Sequence, residues 1–333
     1  MKKIEMVEFL KGFSIFTIII YHLLQTLKMQ DISGKLIAFG GTGVHLFVLL
    51  SGFGLYLSHI NKPLPFLDFL KKRITKVYFP YIIIVFCSAL ISIILPIFKN
   101  SLYAFFGHVF LYKMFDESII GSYGYPLWFI SMIIQFYLVF TLLTILKEKI
   151  NNKLFLAINF FLSIIWIGFV IIIGKESERV WNSFFVRYLW EFSIGMVLAS
   201  EYHRNKNQFN FKIKSIYILI IGITNCVLYA SLALKGGEIG KMTNDIPALI
   251  GYSSIAIWIY SIRLKFINSF ILFTGKISYS MYLIHTLIQL IVLYYLGSYS
   301  IFLAIAFTLI LVYIISIYFQ KSIDFAYKNI FKF

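Results

Sequence analysis

The chain has 333 residues, of which 60% are hydrophobic and only 13% charged, and its mean hydropathy is +0.86. Soluble domains carry about 45–50% apolar and about 25% charged residues, so a soluble globular or disordered chain is excluded and an integral membrane protein is implied. The formal net charge of +16 belongs to no nucleic-acid module and falls mostly at the ends of apolar runs.

A helix needs about 20 predominantly apolar residues to cross the hydrocarbon core. Ten such runs are predicted, near 9–28, 42–59, 76–98, 127–146, 154–173, 183–200, 214–234, 246–262, 276–296 and 300–320. A further apolar piece, Leu102 to Phe115, is too short to span and is interrupted by Gly107, His108 and Lys113, so it is expected to be interfacial or re-entrant. With the N-terminus inside, 20 of the 30 Lys and Arg residues fall in inner loops, eight fall in outer loops, and Lys11 and Arg187 lie within spans. That asymmetry follows the positive-inside rule, and the inner basic loops also meet anionic lipid headgroups. The expected fold is therefore all-α, a polytopic membrane helix bundle of about ten transmembrane helices with both termini cytoplasmic. One integral membrane domain over 1–333 is expected, with no soluble domain and no internal repeat. The opening Met-Lys-Lys and apolar run lack a small-residue cleavage pattern in LLQTLKMQDI, so this segment reads as a retained first span. Cys87 and Cys226 lie alone in separate spans, which argues against a disulfide or a cysteine metal site.

Ionisable residues at membrane depth are costly and by default point to function. Six qualify: Lys11, His22, His45, Arg187, Glu191 and His285. In the first span, Met6-VEFLKGFSIFTIIIYHLLQ-Thr26, Lys11 and His22 are eleven residues apart. On a helix that is about 20° beyond three full turns and a rise of about 16 Å, so both project from one face. Lys11 lies toward the inner headgroups, where it reads also as a snorkelling anchor or as the helix-surface partner of Glu8. His22 lies in the outer half, as a functional group or as interhelical glue.

The second span opens with GGTGVHLFVLLSGFGLYLSH, whose glycines permit close backbone approach. Ser51 has no Gly-x-Ser-x-Gly elbow around it, and a packing role is the plainer reading. His45, near the outer end, stands near His22 or faces outer water. After it comes the densest basic stretch, Phe69-LKKRITKVYFP-Tyr81, where Lys72, Arg73 and Lys76 fall at helical spacing. One face thereby offers several cationic donors suited to phosphate, although membrane anchoring explains such a patch equally well. Further on, Trp128 in YPLWFI reads as an interfacial anchor or a platform for a sugar ring. Arg187 and Glu191, four apart, read as an ion pair satisfied within the bundle or as acceptor-side residues. His285 lies among Ser278, Tyr279, Ser280 and Tyr282, with helix gluing as the plainer reading.

These residues resemble a known pattern. Lys11 to His22 looks like the Arg, ten residues, His signature of acyltransferase family 3, the integral membrane O-acyltransferases, with lysine where the family has arginine. VHLFVLLSGFGLYLS resembles the family's Phe-Phe-x-x-Ser-Gly-Phe stretch, and KKRITKVYFPY its paired-basic, proline-terminated stretch. PLWFISMIIQFYLV, RYLWEFSIGMVLA and GKISYSMYLIH match its later landmarks in order, so the resemblance runs from about residue 4 to 320.

The resemblance implies transfer of an acyl group, commonly acetyl, from a cytoplasmic coenzyme A thioester to a hydroxyl of a cell-surface or lipid-linked carbohydrate. Acetyl-CoA or another acyl-CoA is then a co-substrate, with no bound cofactor and no metal. The expected partners are the lipid bilayer, the acyl-CoA and the carbohydrate acceptor, without nucleic acid; the place is the cell membrane, and the oligomeric state stays open. His22 takes the catalytic role, Lys11 the first-helix basic role, and Arg73 with Lys76, flanked by Lys72, the donor-phosphate role. Lysine lacks the planar fork of arginine, so the contact at Lys11 is expected to be electrostatic.

The chemistry is consistent with this. A neutral imidazole beside a sugar hydroxyl can take its proton as it attacks the thioester, or can itself accept the acyl group first. The oxyanion needs donors, for which the surroundings of Ser51 and Gly52 are the sequence candidates. No carboxylate in the first span is placed to orient His22, so its partner is expected from another helix. A transporter or glycan-export protein is the alternative, disfavoured because Glu191 is the only carboxylate expected at depth. Histidine ligation of haem or metal by His22, His45 and His285 lacks any ligand spacing.

Overall fold

The computed structural model describes residues 4–27, 41–206, 208 and 214–331, and within them the chain is helical throughout, with no strand. Gly40 and the predicted loop cations Lys2, Lys3, Lys28, Lys35, Lys212 and Lys332 lie outside the described residues. In chain order the helices are α1 (Glu5–Gln25), α2 (Gly43–Asn61), α3 (Phe66–Ile94), α4 (Leu102–Val109), α5 (Trp128–Lys149), α6 (Asn152–Ile172) and α7 (Arg179–Asn182). They continue with α8 (Leu189–Arg204), α9 (Ser215–Thr243), α10 (Asp245–Ile262), α11 (Lys265–Lys276), α12 (Ser278–Leu296) and α13 (Ile301–Asn329).

Local chemistry sets many of the boundaries. Glu5 and Glu8 occupy the first turn of α1, where the helix dipole favours negative charge. The side chains of Ser101, Asn151 and Ser300 cap α4, α6 and α13 by accepting from the backbone N–H three residues on. Arg263, in the left-handed region at φ 57°, turns the chain from α10 into α11.

Nine helices among the described residues are long and apolar enough to cross a membrane, one fewer than the ten predicted spans. The missing one is the sixth. Its α8 has 16 residues, about 24 Å of rise, and it reaches membrane length only with the 3-10 turn Phe185–Tyr188 that leads into it. The third span also differs, because the helix begins at Phe66 rather than near 76, so Lys71 to Lys76 fall within its first three turns and Pro80 lies inside it. Neighbouring helices allow a proline in that setting. α4 is short, as expected, and packs against the middle of α3, where the Tyr81 hydroxyl lies 2.7 Å from His108 Nδ1. α11, a 12-residue helix that the sequence reading treated as loop, lies across α1.

The bundle's core is α1, α5 and α12, each 56% buried over its apolar window, whereas α9 is 6% buried and α6 and α13 are 22% buried, and so face lipid. Between helices in lipid, close approach of backbones replaces the hydrophobic drive. A Cβ on Gly52 would strike the carbonyl of Phe192, and one on Gly195 that of Leu49, so α2 and α8 touch along their backbones. Gly12 and Gly275 do the same for α1 and α11.

Hydrogen bonds tie each end of the bundle together. At the basic end, the Tyr279 hydroxyl donates to the Val77 carbonyl (2.5 Å), Tyr327 to that of Lys76 (2.7 Å), and Tyr260 to the Glu5 carboxylate (3.2 Å). One turn along α12 from Tyr279, Tyr282 donates to the Pro126 carbonyl (2.5 Å), and at the opposite end Gln289 donates to the His22 carbonyl (2.8 Å). Lys11, in the second turn of α1, is thus nearer the basic end, and His22, in the last turn, is at the opposite end.

Candidate active site

The last turn of α1 places His22 on a cavity of about 440 Å³ at the end of the bundle opposite the basic stretch. Tyr21, His45, Trp128, Arg187 and Tyr188 line the same cavity. Four residues singled out from sequence, His22, His45, Trp128 and Arg187, thus meet around one space.

His22 Nδ1 lies 3.2 Å from Gln25 Oε1, and the Gln25 amide donates to the Tyr21 hydroxyl at 2.7 Å. The amide oxygen can only accept, so Nδ1 carries the proton and Nε2 the lone pair. The orienting group thus comes from one turn along α1, not from another helix as expected. The other helix supplies a ring instead: His285 lies 5.3 Å from His22, centroid to centroid. His285 Nδ1 donates to the carbonyls of Met281 (3.1 Å) and Tyr282 (2.8 Å), and its Nε2 is 3.2 Å from Thr286 Oγ1.

The expected Arg187–Glu191 pair is not what forms. Arg187 binds Asp245 through Nε to Oδ2 at 2.9 Å and Nη2 to Oδ1 at 2.6 Å, and also donates to the carbonyls of Asn182 and Lys241 at 3.0 Å each. Glu191 lies instead 2.7 Å from His45 Nδ1. The reason is local: Arg187 sits in the 3-10 turn before α8, so the helical spacing that would join it to Glu191 does not apply. Asp245, 3% exposed, is a second buried carboxylate and corrects the reading of Glu191 as the only one at depth.

His45, Glu191 and Asp245 bring one donor atom each within 4.8 Å of one another, a grouping that a divalent cation could use. Both Asp245 oxygens already serve Arg187, so a cation there would compete with a guanidinium. His22 and His285 are not part of that grouping.

Arg179, on α7, is the cation that sequence reasoning left as loop charge. Its guanidinium lies 4.9 Å over the Tyr125 ring and 4.8 Å over that of Trp128, and it donates to the Tyr125 hydroxyl, to Asn182 Oδ1 (3.3 Å) and to Ser183 Oγ (3.2 Å). Glu117 accepts from the backbone N–H groups of Arg179 (3.0 Å) and Val180 (2.8 Å) and so holds α7 in place. Among the described residues no carboxylate pairs with the Arg179 side chain, which lines the cavity.

Ser51 and Gly52, the sequence candidates for the oxyanion, lie elsewhere. The Ser51 hydroxyl donates to Phe47 of its own helix at 2.8 Å, and Gly52 is pressed on Phe192. They form the α2–α8 seam and do not line the cavity.

At the basic end, Lys72, Arg73 and Lys76 are half-buried on α3. The Arg73 guanidinium lies 5.8 Å over the Phe69 ring, and its buried Nε has no partner among the described residues. Lys11 is 3.2 Å from Glu8, as the plainer reading expected. Between the two ends α12 offers a run of aromatic rings: Tyr279 to Tyr282 at 6.3 Å, then Tyr282 to His285 at 6.3 Å, then His285 to His22.

A family model described as an acyltransferase domain matches residues 4–321. The chain belongs to acyltransferase family 3. No curated protein and no solved structure matches it. The membrane acyltransferase thus has its polar interior divided into a basic end and a cavity end, joined along α1 and α12. Its sequence showed His22 through the cost of an imidazole in an apolar run. Asp245 and Arg179 left no comparable signal, because each lies just outside an apolar run, where a charge costs nothing.

Proposed function

We propose that this membrane acyltransferase moves an acyl group, acetyl in the simplest case, from a cytoplasmic acyl-coenzyme A to a hydroxyl of a cell-surface or lipid-linked carbohydrate. It would act in the cell membrane, in polysaccharide or glycan O-acetylation, with the acyl-CoA as co-substrate. The observation that carries this reading is His22 on an aromatic, arginine-bearing cavity, one helix length from a basic stretch whose Arg73 Nε has no partner among the described residues.

The basic end suits the donor: Lys72, Arg73 and Lys76 offer cationic groups to the phosphates, and Lys11 adds charge nearer the core. The cavity end suits the acceptor, since Trp128, Tyr21 and Tyr188 give flat faces and polar tips for a sugar ring. His22 Nε2, with its free lone pair, is then the reacting atom at the centre, as base or as nucleophile. With Ser51 and Gly52 committed to helix packing, Arg179 is the cationic donor on the cavity wall for the developing oxyanion.

The test supplies labelled acetyl-coenzyme A to inverted membrane vesicles and follows label into glycan. His22→Ala is expected to lose about 10²–10⁴ of the transfer rate; undiminished transfer would sink the proposal. Replacing Arg73 and Lys76 together by Ala is expected to raise the KM for the donor, and an unchanged KM removes the donor site. One observation favours transport as a second reading, namely that two buried carboxylates, Glu191 and Asp245, flank His45. Glycan movement across the vesicle membrane without any acyl-CoA would select it.

A further inference from the structure

The two histidines on the cavity are supported in different ways. His22 Nδ1 faces a neutral amide, Gln25, and its ring lies beside a second imidazole, His285. A neutral amide stabilises a positive charge on His22 far less than a carboxylate would. His45 Nδ1 faces the carboxylate of Glu191 at 2.7 Å, in a residue with no exposed surface. The other oxygen of Glu191, Oε2, has no partner among the described residues, so this carboxylate serves His45 alone.

The pairing fixes His45 with its proton on Nδ1 and its lone pair on Nε2. Nε2 is 3.8 Å from Asp245 Oδ1, beyond hydrogen-bond reach, and Asp245 is held by Arg187. Tyr188 lies 5.7 Å away ring to ring, and the charge of Arg187, from the same 3-10 turn, also faces His45. Nε2 therefore has no hydrogen-bond partner among the described residues, in a side chain that lines the cavity.

We propose that His45 is the catalytic base of the transfer step, with Glu191 as its positioning residue, and that His22 is the acyl carrier. The inference rests on the acyltransferase reading above. In the first step His22 Nε2 attacks the thioester carbonyl. A carbon–nitrogen bond forms, the carbon–sulfur bond breaks, and coenzyme A leaves as the thiolate with the electron pair. In the second step the acceptor hydroxyl gives its proton to His45 Nε2 as its oxygen attacks the acyl carbon. The carbon–oxygen bond forms, the acyl–nitrogen bond breaks, and that electron pair returns to His22. His45 then releases its proton to the water of the open cavity. The division of labour follows from the surroundings: a carboxylate stabilises the imidazolium that a base must become, whereas a carrier nucleophile reacts as the neutral ring.

The experiment uses full-length protein in proteoliposomes with labelled acetyl-coenzyme A. It reads two quantities: label retained on protein after rapid denaturation at neutral pH, and label transferred to glycan. The parent is expected to show both, and a parent with neither fails the acyltransferase reading itself, not only this inference. His45→Gln is expected to load label at the parent's rate and to transfer it about 10²-fold or more slowly, so that labelled protein accumulates. Glu191→Gln is expected to transfer more slowly, with the acid limb of its pH profile moved to lower pH, a shift that a purely structural role would not produce. Parental transfer by His45→Gln, loss of its loading together with its transfer, or an unmoved pH profile in Glu191→Gln would each overturn the assignment.

Discussion

The imidazoles of His22 and His285 lie 5.3 Å apart and are tilted by 31°, and His285 is itself pinned to the carbonyls of its own helix. A ring so fixed acts as a wall that sets where His22 can point. His285→Ala removes the wall and is expected to lower kcat by about 10- to 100-fold with KM for the donor unchanged, because a displacement near 1 Å has that effect. His285→Phe restores the wall and is expected to recover most of the rate. Equal losses in the two variants, measured in proteoliposomes, would show that ring chemistry matters rather than bulk.

Arg179 stands over Tyr125 and Trp128, without a carboxylate partner among the described residues. Arg179→Gln is expected to lower kcat about 10²- to 10³-fold, the usual effect of losing one oxyanion donor, and Arg179→Lys to retain part of that loss as activity. A change confined to the KM for acceptor would place Arg179 in binding alone.

The Arg187–Asp245 pair joins the turn before α8 to the start of α10, and both residues are buried. Removing one partner leaves a buried charge, which costs about 3–5 kcal/mol. Asp245→Asn is therefore expected to melt markedly earlier in detergent, and Arg187→Gln combined with Asp245→Asn to melt later than Asp245→Asn alone. Additive losses in the double variant would argue against the pairing.

Lys113, in the short segment that packs against the middle of α3, is fully buried over the Tyr81 ring at 5.6 Å, with no partner for its amine among the described residues. Burial pushes its pKa down from 10.5 to about 7. Its neighbour His108 is pushed down to about 2, first by burial and then by the Lys113 charge. A lowered lysine means that the folded state binds fewer protons than the unfolded one between about pH 7 and 10.5, so stability rises with pH across that window. Below about pH 7 the desolvation cost stands in full. Lys113→Met is expected to raise the melting temperature most at pH 6–7 and least near pH 10, and a pH-independent gain would contradict this account.

Most of the bundle was legible because apolar runs of membrane length announce themselves, and because the basic loops alternate with them. The departures have local causes. α11 is 12 residues long with charges at both ends, so it carries no spanning signal, yet its Gly275 fits the backbone of α1. Asp245 falls one residue before a predicted span, and MTNDIP reads as a turn. Arg187 and Glu191 share a helical spacing but not a helix, which is why each found another partner. His22 needed no structure to be noticed; its companions His45 and His285, on other helices, could be placed beside it only by the fold.

The contact of Gly12 with α11 has a consequence for the opposite end of α1. Gly12 is wedged on the Ile271 carbonyl and Gly275 on that of Glu8, so α1 can neither rotate nor slide at the level of Lys11. The ten residues between Lys11 and His22 then behave as a gauge block, and His22 has its bearing because the near end is locked. One alanine inserted between Phe13 and Tyr21 would turn His22 by about 100° and push it about 1.5 Å along the axis. Such an insertion is expected to abolish transfer with every cavity side chain still present.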